Sequence, residues 1–386
     1  MGRGRVSFTR AERGLVASAA FLVFSRVFAF SLVLPGFRDF GAHLTESDLL
    51  IGIALGAYGL TMAAAQLANG WLSDHVGRRP VLLLGGLLFV AGSAWAAVAG
   101  SIGTLIAARL VQGLGGVSSV AMAAVGETVP AERRTSAMAL IGIPAGLGFF
   151  LGFVLGPVGE GLVGFRGLFW AMAIIGLVAT LPLALRGLPE PLPMLAASRR
   201  MGLPVLALAL AGFTANLGMT AVVFFLPELR HEVLAAILVG ALIVMGAASR
   251  AADRRAATWQ PVVAALGVLA IGAPLFILGG GWTLVTGGLL FFAAHATLSA
   301  VLPSQVSRLA GRSGGRGHGV QLVVAYLGSA AGGALAGGLA DSPEAAFAVF
   351  AGLCAGVALL SIAVAVMARR SETSASAPSP SPPPSP

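Results

Sequence analysis

The chain has 386 residues, of which 57% are hydrophobic and 10% charged, and its mean hydropathy is +0.92. Because one soluble core of this size could not bury so much apolar surface, the composition excludes an ordinary water-soluble domain. The formal net charge of +9 arises without any lysine, and the one cysteine, Cys354, allows neither an internal disulfide nor a cysteine cluster for a metal. Without a P-loop lysine, and with no HExxH or GxSxG pattern, the chain is not expected to be an enzyme or to hold a cofactor.

Apolar stretches of about 20 residues, the length that crosses a bilayer, recur between charged or Gly/Pro-rich breaks. They predict an all-α integral membrane protein with twelve spanning helices, of which the eighth is short. The expected limits are 15–36, 50–69, 81–99, 104–126, 137–157, 167–186, 204–226, 233–249, 261–279, 282–303, 319–340 and 344–368.

The chain has a midpoint. Prolines and arginines in residues 187–203 predict a cytoplasmic linker between a six-helix half in 1–186 and a second in 204–368. Two such halves are typical of a transporter built from repeats, with a site near the bilayer midplane. Residues 369–386 are rich in serine and proline and are expected to form a disordered cytoplasmic tail.

The arginines fall mainly on one side of the membrane if the N-terminus is cytoplasmic. On this prediction only Arg38, Arg166 and Arg230 lie on the opposite side. The asymmetry predicts a multi-pass protein of the inner (plasma) membrane with both termini in the cytoplasm. The net charge then reflects topology, and no nucleic-acid partner is expected.

Residues 70–80, GWLSDHVGRRP, concentrate charge between two apolar runs. Gly70 and Gly77 permit close backbone approach or positive φ, whereas Asp74, Arg78 and Arg79 offer charges for ion pairs or helix termini. Such contacts suit a latch between two conformational states. The alternative is a topogenic loop in which the arginines only hold this turn in the cytoplasm.

Three motifs resemble those of the major facilitator superfamily. The pattern Gly70-x-Leu72-x-Asp74-x-x-Gly77-Arg78-Arg79 is similar to that superfamily's signature between helices two and three. The pattern Arg109-x-x-Gln112-Gly113-x-Gly115 is similar to the superfamily's motif in the fourth helix. The pattern Gly152-x-x-x-Gly156-Pro157 is similar to the fifth-helix motif of the superfamily's drug/proton antiporter branch. In that motif a pair of glycines usually follows the proline, whereas this sequence has Gly159-Glu160-Gly161.

The resemblance covers both halves. The stretch from Arg26 through Trp170, and again LPSQVSRLAG through GSAAGGALAGG, is similar to YajR-type bacterial members. This resemblance implies a twelve-helix rocker-switch exporter in the lipid bilayer, acting as a monomer on a small-molecule substrate with protons as the coupling ion. In relatives an acidic residue joins the Asp74 loop in a charge relay, and Glu127 occupies the matching place here.

Two arginines lie inside predicted spans. Arg26 is about eleven residues from either end of helix one, roughly 16 Å at 1.5 Å per residue, too deep to snorkel. Since such burial costs at least about 2.5–3.5 kcal/mol, we expect it to face a cavity or an internal partner, with a tie to backbone carbonyls or an acidic neighbour as the structural alternative. Arg109 is near enough to its helix end to snorkel, and the motif implies a place in the proton or gating pathway.

Other polar residues leave two interpretations open. His295, in mid-helix, could exchange a proton or could be a neutral ring bonded to backbone. Tyr58, Gln112, Asn216 and Tyr326 could line a pocket or bond neighbouring helices.

Small residues in helix five form a stripe that suits close helix packing or, alternatively, a seal against leak. Its members are Gly148, Gly152 and Gly156, followed by Pro157.

Three functional classes follow. The first is proton-driven efflux of amphiphilic or hydrophobic compounds, since one proton crossing about 100 mV releases about 2.3 kcal/mol and a cavity with few charges favours such substrates. Uptake by symport or facilitated diffusion is possible on the same fold. A non-transporting sensor or scaffold is the third, which a deeply placed Arg26 and a complete Asp74 motif disfavour.

Overall fold

The computed structural model describes residues 8–186, 202–226, 229, 231–255, 259–310 and 314–375. Regular structure in these ranges is helical throughout. The helices are α1 (Arg10–Leu32), α2 (Phe37–Ala42), α3 (Asp48–Val76), α4 (Arg78–Ala97), α5 (Ile102–Leu114), α6 (Ser118–Thr128), α7 (Ala131–Arg186), α8 (Leu203–Phe224), α9 (His231–Arg255), α10 (Gln260–Leu278), α11 (Trp282–Ala310), α12 (Gly314–Gly338) and α13 (Pro343–Ala375).

Within the described ranges, ten helical segments are long and apolar enough to cross a membrane. One of them, Leu140–Pro182, has 43 residues and contains a break at Gly164, where φ is +70°. Glycine adopts this backbone conformation without steric cost, so the chain can reverse there. The predicted count of twelve is reached when α7 is divided at Gly164 and the shorter apolar segment Glu232–Gly246 is included.

Several predicted limits were wrong. The second helix does not end at 69 but continues to Val76, so most of the sequence taken for a loop is helical. The fourth divides into α5 and α6, and the fifth passes through Pro157 to Gly164. Helix α13 extends to Ala375, past the predicted end at 368.

Other predictions fall outside the described residues. Most of the predicted linker, 187–201, does so, as does the last part of the tail, 376–386. The boundary between the two halves therefore stays a prediction.

Helices before residue 186 pack chiefly on one another, as do those after 202. In the first half α1 runs along α7 while α3 and α4 pack on α5; in the second, α8 packs on α12 and α10 on α11. We name the two ends of this assembly by their residues. The Gly77 end holds the turn between α3 and α4, and the Asp48 end holds the start of α3.

The two halves meet along α3 and α12, in a contact we call the seam. A methyl group added at Gly52 would overlap the carbonyl oxygen of Gly333, and one at Gly56 would lie 2.8 Å from that of Ala330. These glycines belong to the part of α3 nearest the Asp48 end. Because backbone touches backbone here, the seam is closed at that end.

Aromatic contacts also join the halves on this side. The guanidinium of Arg38, which is paired with Asp48 at 3.2 Å, lies 4.9 Å from the ring centre of Phe224 at the end of α8. Deeper in, the rings of Phe153 on α7 and Phe292 on α11 are 5.7 Å apart. The contacts between halves that the described residues show thus concentrate toward the Asp48 end.

The glycine stripe of helix five serves packing within the first half. A methyl group at Gly148 would lie 2.9 Å from the carbonyl oxygen of Phe24, and those at Gly152 and Gly156 would overlap carbonyls one and two turns further along α1. The close approach of α1 and α7 therefore requires small residues at these positions.

Candidate functional site

Arg78 is the centre of a cluster at the Gly77 end, which we call the Arg78 cluster and which contains Ser73, Asp74, Arg78 and Glu127. Arg78 Nη1 lies 2.6 Å from Asp74 Oδ1 and also donates to the Ser73 hydroxyl. Its Nε donates to Glu127 Oε2 at 3.2 Å, while Nη2 donates to Glu127 Oε1. The guanidinium thus ties the end of α3 and the start of α4 to the end of α6.

The two carboxylates of this cluster differ in exposure. The Glu127 side chain is 11% exposed and Arg78 18%, whereas Asp74 is 58% exposed. Water and salt screen the Asp74 pair, so it contributes little to stability, and the shielded bidentate pair with Glu127 is the stronger one. The partners found here for Asp74, Arg78 and Glu127 in the described part of the chain all belong to the first half.

The other residues of this motif have different roles. Gly77 has φ of +92° and is at once the C-cap of α3 and the residue before α4, a conformation that strains any residue with a Cβ. Gly70 lies within regular helix and an added Cβ would meet nothing within 4 Å, so this structure has neither the close backbone approach nor the positive φ that the sequence allowed at Gly70. Arg79 is exposed.

A second ion pair at this end was missed by sequence reasoning. Arg133 Nη1 at the start of α7 lies 2.9 Å from Glu12 Oε2 in α1. Glu12 is 6% exposed and also accepts the backbone N–H of Thr9 at 2.7 Å, completing a capping box. The Thr9-x-x-Glu12 spacing was the available signal, because it is the signature of a helix start.

Helix four is interrupted between α5 and α6, and polar side chains from α3 hold the interruption. Asn69 Nδ2 donates to the carbonyls of Leu114 at 3.2 Å and Gly116 at 2.7 Å. Gln66 accepts the backbone N–H of Ser119 at 3.1 Å. Backbone groups freed by the break are thus satisfied inside the protein, as the bilayer demands.

Arg26 reaches the same interruption from α1. Its Nη1 donates to the carbonyl of Gly115, its Nη2 donates to that of Gly85 at 2.6 Å, and the guanidinium lies 4.8 Å from the ring centre of Phe89. The side chain is 4% exposed. Of the two interpretations left open by the sequence, the structure shows the tie to backbone carbonyls.

Arg109 has a different environment. It is fully buried, so the alternative that it snorkels outward is wrong. Nη1 donates to Gln112 Oε1 at 2.6 Å, and three rings surround the guanidinium, with centres at 4.9 to 5.4 Å. Those rings belong to Phe30, Phe37 and Tyr58.

The rest of the fourth-helix motif fixes this side chain. Gln112 Nε2 donates to Ser93 Oγ on α4 at 2.8 Å, which sets the orientation of the amide that Arg109 binds. A methyl group at Gly113 would overlap the carbonyl of Tyr58, so this glycine lets α5 approach α3. Ser93 is a site residue that sequence reasoning missed.

The remaining predicted residues do not join this group. His295 on α11 lies 6.4 Å from the ring of Phe149, at the contact between halves. Asn216 donates to the carbonyl of Gly212 in its own helix at 3.0 Å. Tyr326 lies on the seam, where its backbone carbonyl faces Gly59.

Comparisons with known proteins agree with this architecture. The Inner membrane transport protein YajR of Escherichia coli strain K12 is 41% identical over 155 residues, 40% of this chain and 34% of that protein. The Putative multidrug resistance protein MdtD of Escherichia coli O81 is 33% identical over 172 residues, 42% of this chain and 36% of that protein. Each match thus spans about a third of the relative's length.

A structural likeness and a family model extend over more of the chain. The crystal structure of the human organic anion transporter MFSD10 (TETRAN) covers 92% of this chain and 100% of its own, with a TM-score of 0.64 and 22% identity, which shows the fold alone. The family model described as Major Facilitator Superfamily matches residues 16–332, well over half of the sequence. The chain belongs to the major facilitator superfamily.

Proposed function

We propose that this transporter exports small amphiphilic or hydrophobic compounds by alternating access, driven by protons. The observation that supports this most is the distribution of contacts between its halves. Toward the Asp48 end the two halves touch, backbone against backbone, at Gly52 and Gly333. At the other end the ion pairs of the Arg78 cluster connect only residues of the first half among those described. Rocking about the middle of the seam would open one end as the other closes.

The positive-inside rule assigns the ends. Arg78, Arg79 and Arg133 lie at the Gly77 end, which we therefore place in the cytoplasm. The structure then corresponds to a state closed to the outside. In this state most of the Asp74 carboxylate faces solvent, so it is available for a partner in the second half when the cytoplasmic end closes.

Efflux is favoured over uptake by what the relatives are called. One similar protein is named a putative multidrug resistance protein, and the fifth-helix glycine motif points to the same branch. The apolar rings around Arg109 suit substrates with apolar surface. For uptake on the same fold we find no specific observation.

His295 is the candidate proton carrier. It lies at a contact between halves and its ring nitrogen Nδ1 is buried without a hydrogen-bond partner among the described residues. Its packing beside the rings of Phe149 and Phe291 equally suits a neutral structural ring. Arg26 is better explained as a support for the break in helix four than as part of a proton path.

Transport in proteoliposomes tests the proposal. Vesicles containing the purified protein are loaded with a panel of fluorescent amphiphiles, and a pH gradient is imposed in either direction. We expect release of at least one dye to accelerate when protons can flow inward in exchange, and to slow to the rate seen without an imposed pH gradient when a protonophore collapses that gradient. Dye flux that ignores the gradient would contradict proton coupling, and flux equal to protein-free vesicles would support a sensor or scaffold.

A further inference from the structure

We infer that Arg109 and its three aromatic neighbours form a binding site for the carboxylate group of an apolar organic anion. This inference rests on the proposed function, because it names the chemical class of the substrate. It assigns Arg109 the task of binding the anionic group, with Phe30, Phe37 and Tyr58 packing on the apolar part.

The positive charge of Arg109 has no acidic partner among the described residues. Its Nε and Nη2 are buried and have no hydrogen-bond partner in the described ranges, where its only polar contact is the neutral Gln112. The four ion pairs of those ranges involve Arg38, Arg78 and Arg133 but not Arg109. An unpaired buried charge costs several kcal/mol, so a bound anion would be strongly favoured.

The sequence supplies no alternative counter-charge at this depth. Helices α1 to α6 carry acidic residues only near the ends of the spanning segments: Glu12, Asp48, Asp74 and Glu127, with Asp39 exposed on the short helix α2. Glu160, the acidic residue furthest inside α7, lies close to its break at Gly164. None of these carboxylates pairs with Arg109 in the described part of the chain, so we expect the neutralising group to come from outside the protein.

The two unpartnered atoms are the pair that a carboxylate needs. Nε and Nη2 point along the same edge of a guanidinium and together bind both oxygens of one carboxylate. This protein already uses that edge once: Arg78 binds the two oxygens of Glu127 through its own Nε and Nη2. In Arg109 the same edge is empty of protein partners among the described residues.

The other deep arginine does not offer this edge. Arg26 has committed Nη1 and Nη2 to the carbonyls of Gly115 and Gly85, which leaves only Nε without a partner among the described residues. A bidentate contact with a ligand would require Arg26 to release Gly85. The observations therefore place the anion at Arg109.

Two of the surrounding rings, those of Tyr58 and Phe30, place the site beside the seam. Tyr58 stacks on Phe30 with ring centres 4.5 Å apart, and the next residue, Gly59, touches α12 across the seam. Of the three rings only that of Phe30 is partly buried, whereas those of Phe37 and Tyr58 are buried, so we expect access to Arg109 from the side of Phe30. A ligand bound there would contact rings of α1 and α3 next to the seam, where the two halves move relative to each other in the proposed mechanism.

Binding can be tested on the full-length protein in detergent, without transport. The probes are 1-naphthoate, neutral 1-naphthalenemethanol and cationic 1-naphthylmethylammonium, which share one ring system and differ in charge. We expect only 1-naphthoate to raise the melting temperature in a saturable manner. This comparison needs no variant, so equal effects of the three probes, or no effect of 1-naphthoate, would overturn the inference.

Variants then locate the site. Arg109→Gln should raise the apparent dissociation constant of 1-naphthoate at least about tenfold, and Arg109→Lys should give an intermediate value because it keeps the charge but loses the planar edge. Arg166→Gln is the matched control, since Arg166 binds the carbonyl of Ala97 at 3.1 Å outside this site, and it should bind as the wild type does. Unchanged binding in Arg109→Gln would overturn the inference.

Arg109→Met separates binding from a structural role. Removing the uncompensated charge should offset the loss of the hydrogen bond to Gln112, so the melting temperature of the unliganded protein should stay close to that of the wild type, whereas an arginine needed for folding would lower it clearly. The outcomes also distinguish the two proposals. Selective binding of 1-naphthoate without dye transport would contradict the proposed function and keep the site, and proton-coupled dye transport without such binding would do the reverse.

Discussion

Two buried arginines of this protein lie in opposite electrostatic settings. The guanidinium of Arg26 donates to two backbone carbonyls, whereas that of Arg109 has one neutral partner and three rings. The carbonyl of Gly115 depends on Arg26 in particular, because the N–H of Ser119, its usual helical donor, is bound by Gln66 instead. Depth in the membrane alone therefore does not define the role of an arginine.

This contrast predicts opposite effects of the same substitution. Arg26→Met should lower the stability of the protein, since an orphaned buried carbonyl costs about 1–3 kcal/mol. Arg109→Met orphans only the side-chain oxygen of Gln112 and also removes an uncompensated buried charge, so its stability should stay close to that of the wild type. Thermal unfolding of both variants in one detergent measures the difference, and a lower melting temperature for both would show that the two arginines serve the same structural end.

Asp74 and Glu127 both pair with Arg78, but Asp74 is largely exposed and Glu127 is shielded. Asp74→Asn removes a largely exposed ion pair that contributes only about 0–1 kcal/mol, so the protein should fold and insert normally. Its transport should fall by about an order of magnitude if the lost charge alters the balance of the two states by about 1.4 kcal/mol. Initial dye flux in proteoliposomes checks this.

The matched variant is Glu127→Gln. It removes a shielded bidentate partner of Arg78, so here a loss of thermal stability should accompany the loss of flux. Wild-type flux in Asp74→Asn would show that this motif is topogenic only.

At the scale of helices, the seam between α3 and α12 determines which end is closed. Its backbone contacts tolerate no side chain at Gly52 or Gly333. The stripe of α7 uses the same device against α1, but within one half. Glycine thus serves at two helix interfaces here, one within the first half and one at the seam, which separates in the proposed alternating access.

Gly333→Val should therefore hold the Asp48 end open. Spin labels at Glu46→Cys and Asp341→Cys, in a Cys354→Ser background, report the distance between the halves at this end by pulsed electron resonance. We expect longer distances and slower transport in Gly333→Val. Gly352→Val is the control, because a Cβ at Gly352 would meet nothing within 4 Å, and a shift of equal size there would refute the importance of the seam.

At the scale of the whole molecule, the positive charges decide orientation. The Gly77 end holds Arg78, Arg79 and Arg133, whereas Asp39, Glu46 and Asp48 lie at the other end with Arg38. This distribution supports the proposed insertion, with the Gly77 end in the cytoplasm. On that proposal the closed end faces outward.

Labelling of intact cells tests this orientation. In a Cys354→Ser background, a membrane-impermeant maleimide should react with Glu46→Cys from outside the cell, and with His75→Cys only after the membrane is permeabilised. Both positions are exposed, so differences in burial do not explain the result. Labelling of His75→Cys in sealed cells would invert the assignment of inside and outside.

Much of this architecture was predictable because its causes are local in the sequence. A spanning helix needs about 20 apolar residues, and a cytoplasmic turn needs arginines, so composition and spacing predicted the helical membrane fold that the structure shows. The family resemblance also grouped Glu127 with Asp74 and Arg78 of the loop motif, and the structure brings these three residues together. The capping pattern at Thr9 and Glu12 is also local in the sequence and would have predicted the start of α1.

Tertiary structure decided the rest, because it depends on which groups meet across distant helices. Hydropathy treats Arg26 and Arg109 alike, but only packing gave one two carbonyls and the other a ring of aromatics. The backbone groups freed by the break in helix four are satisfied by Asn69 and Gln66, which reach it from α3. The closed end follows from backbone contact between glycines almost 300 positions apart, Gly52 and Gly333, a proximity that no local pattern encodes.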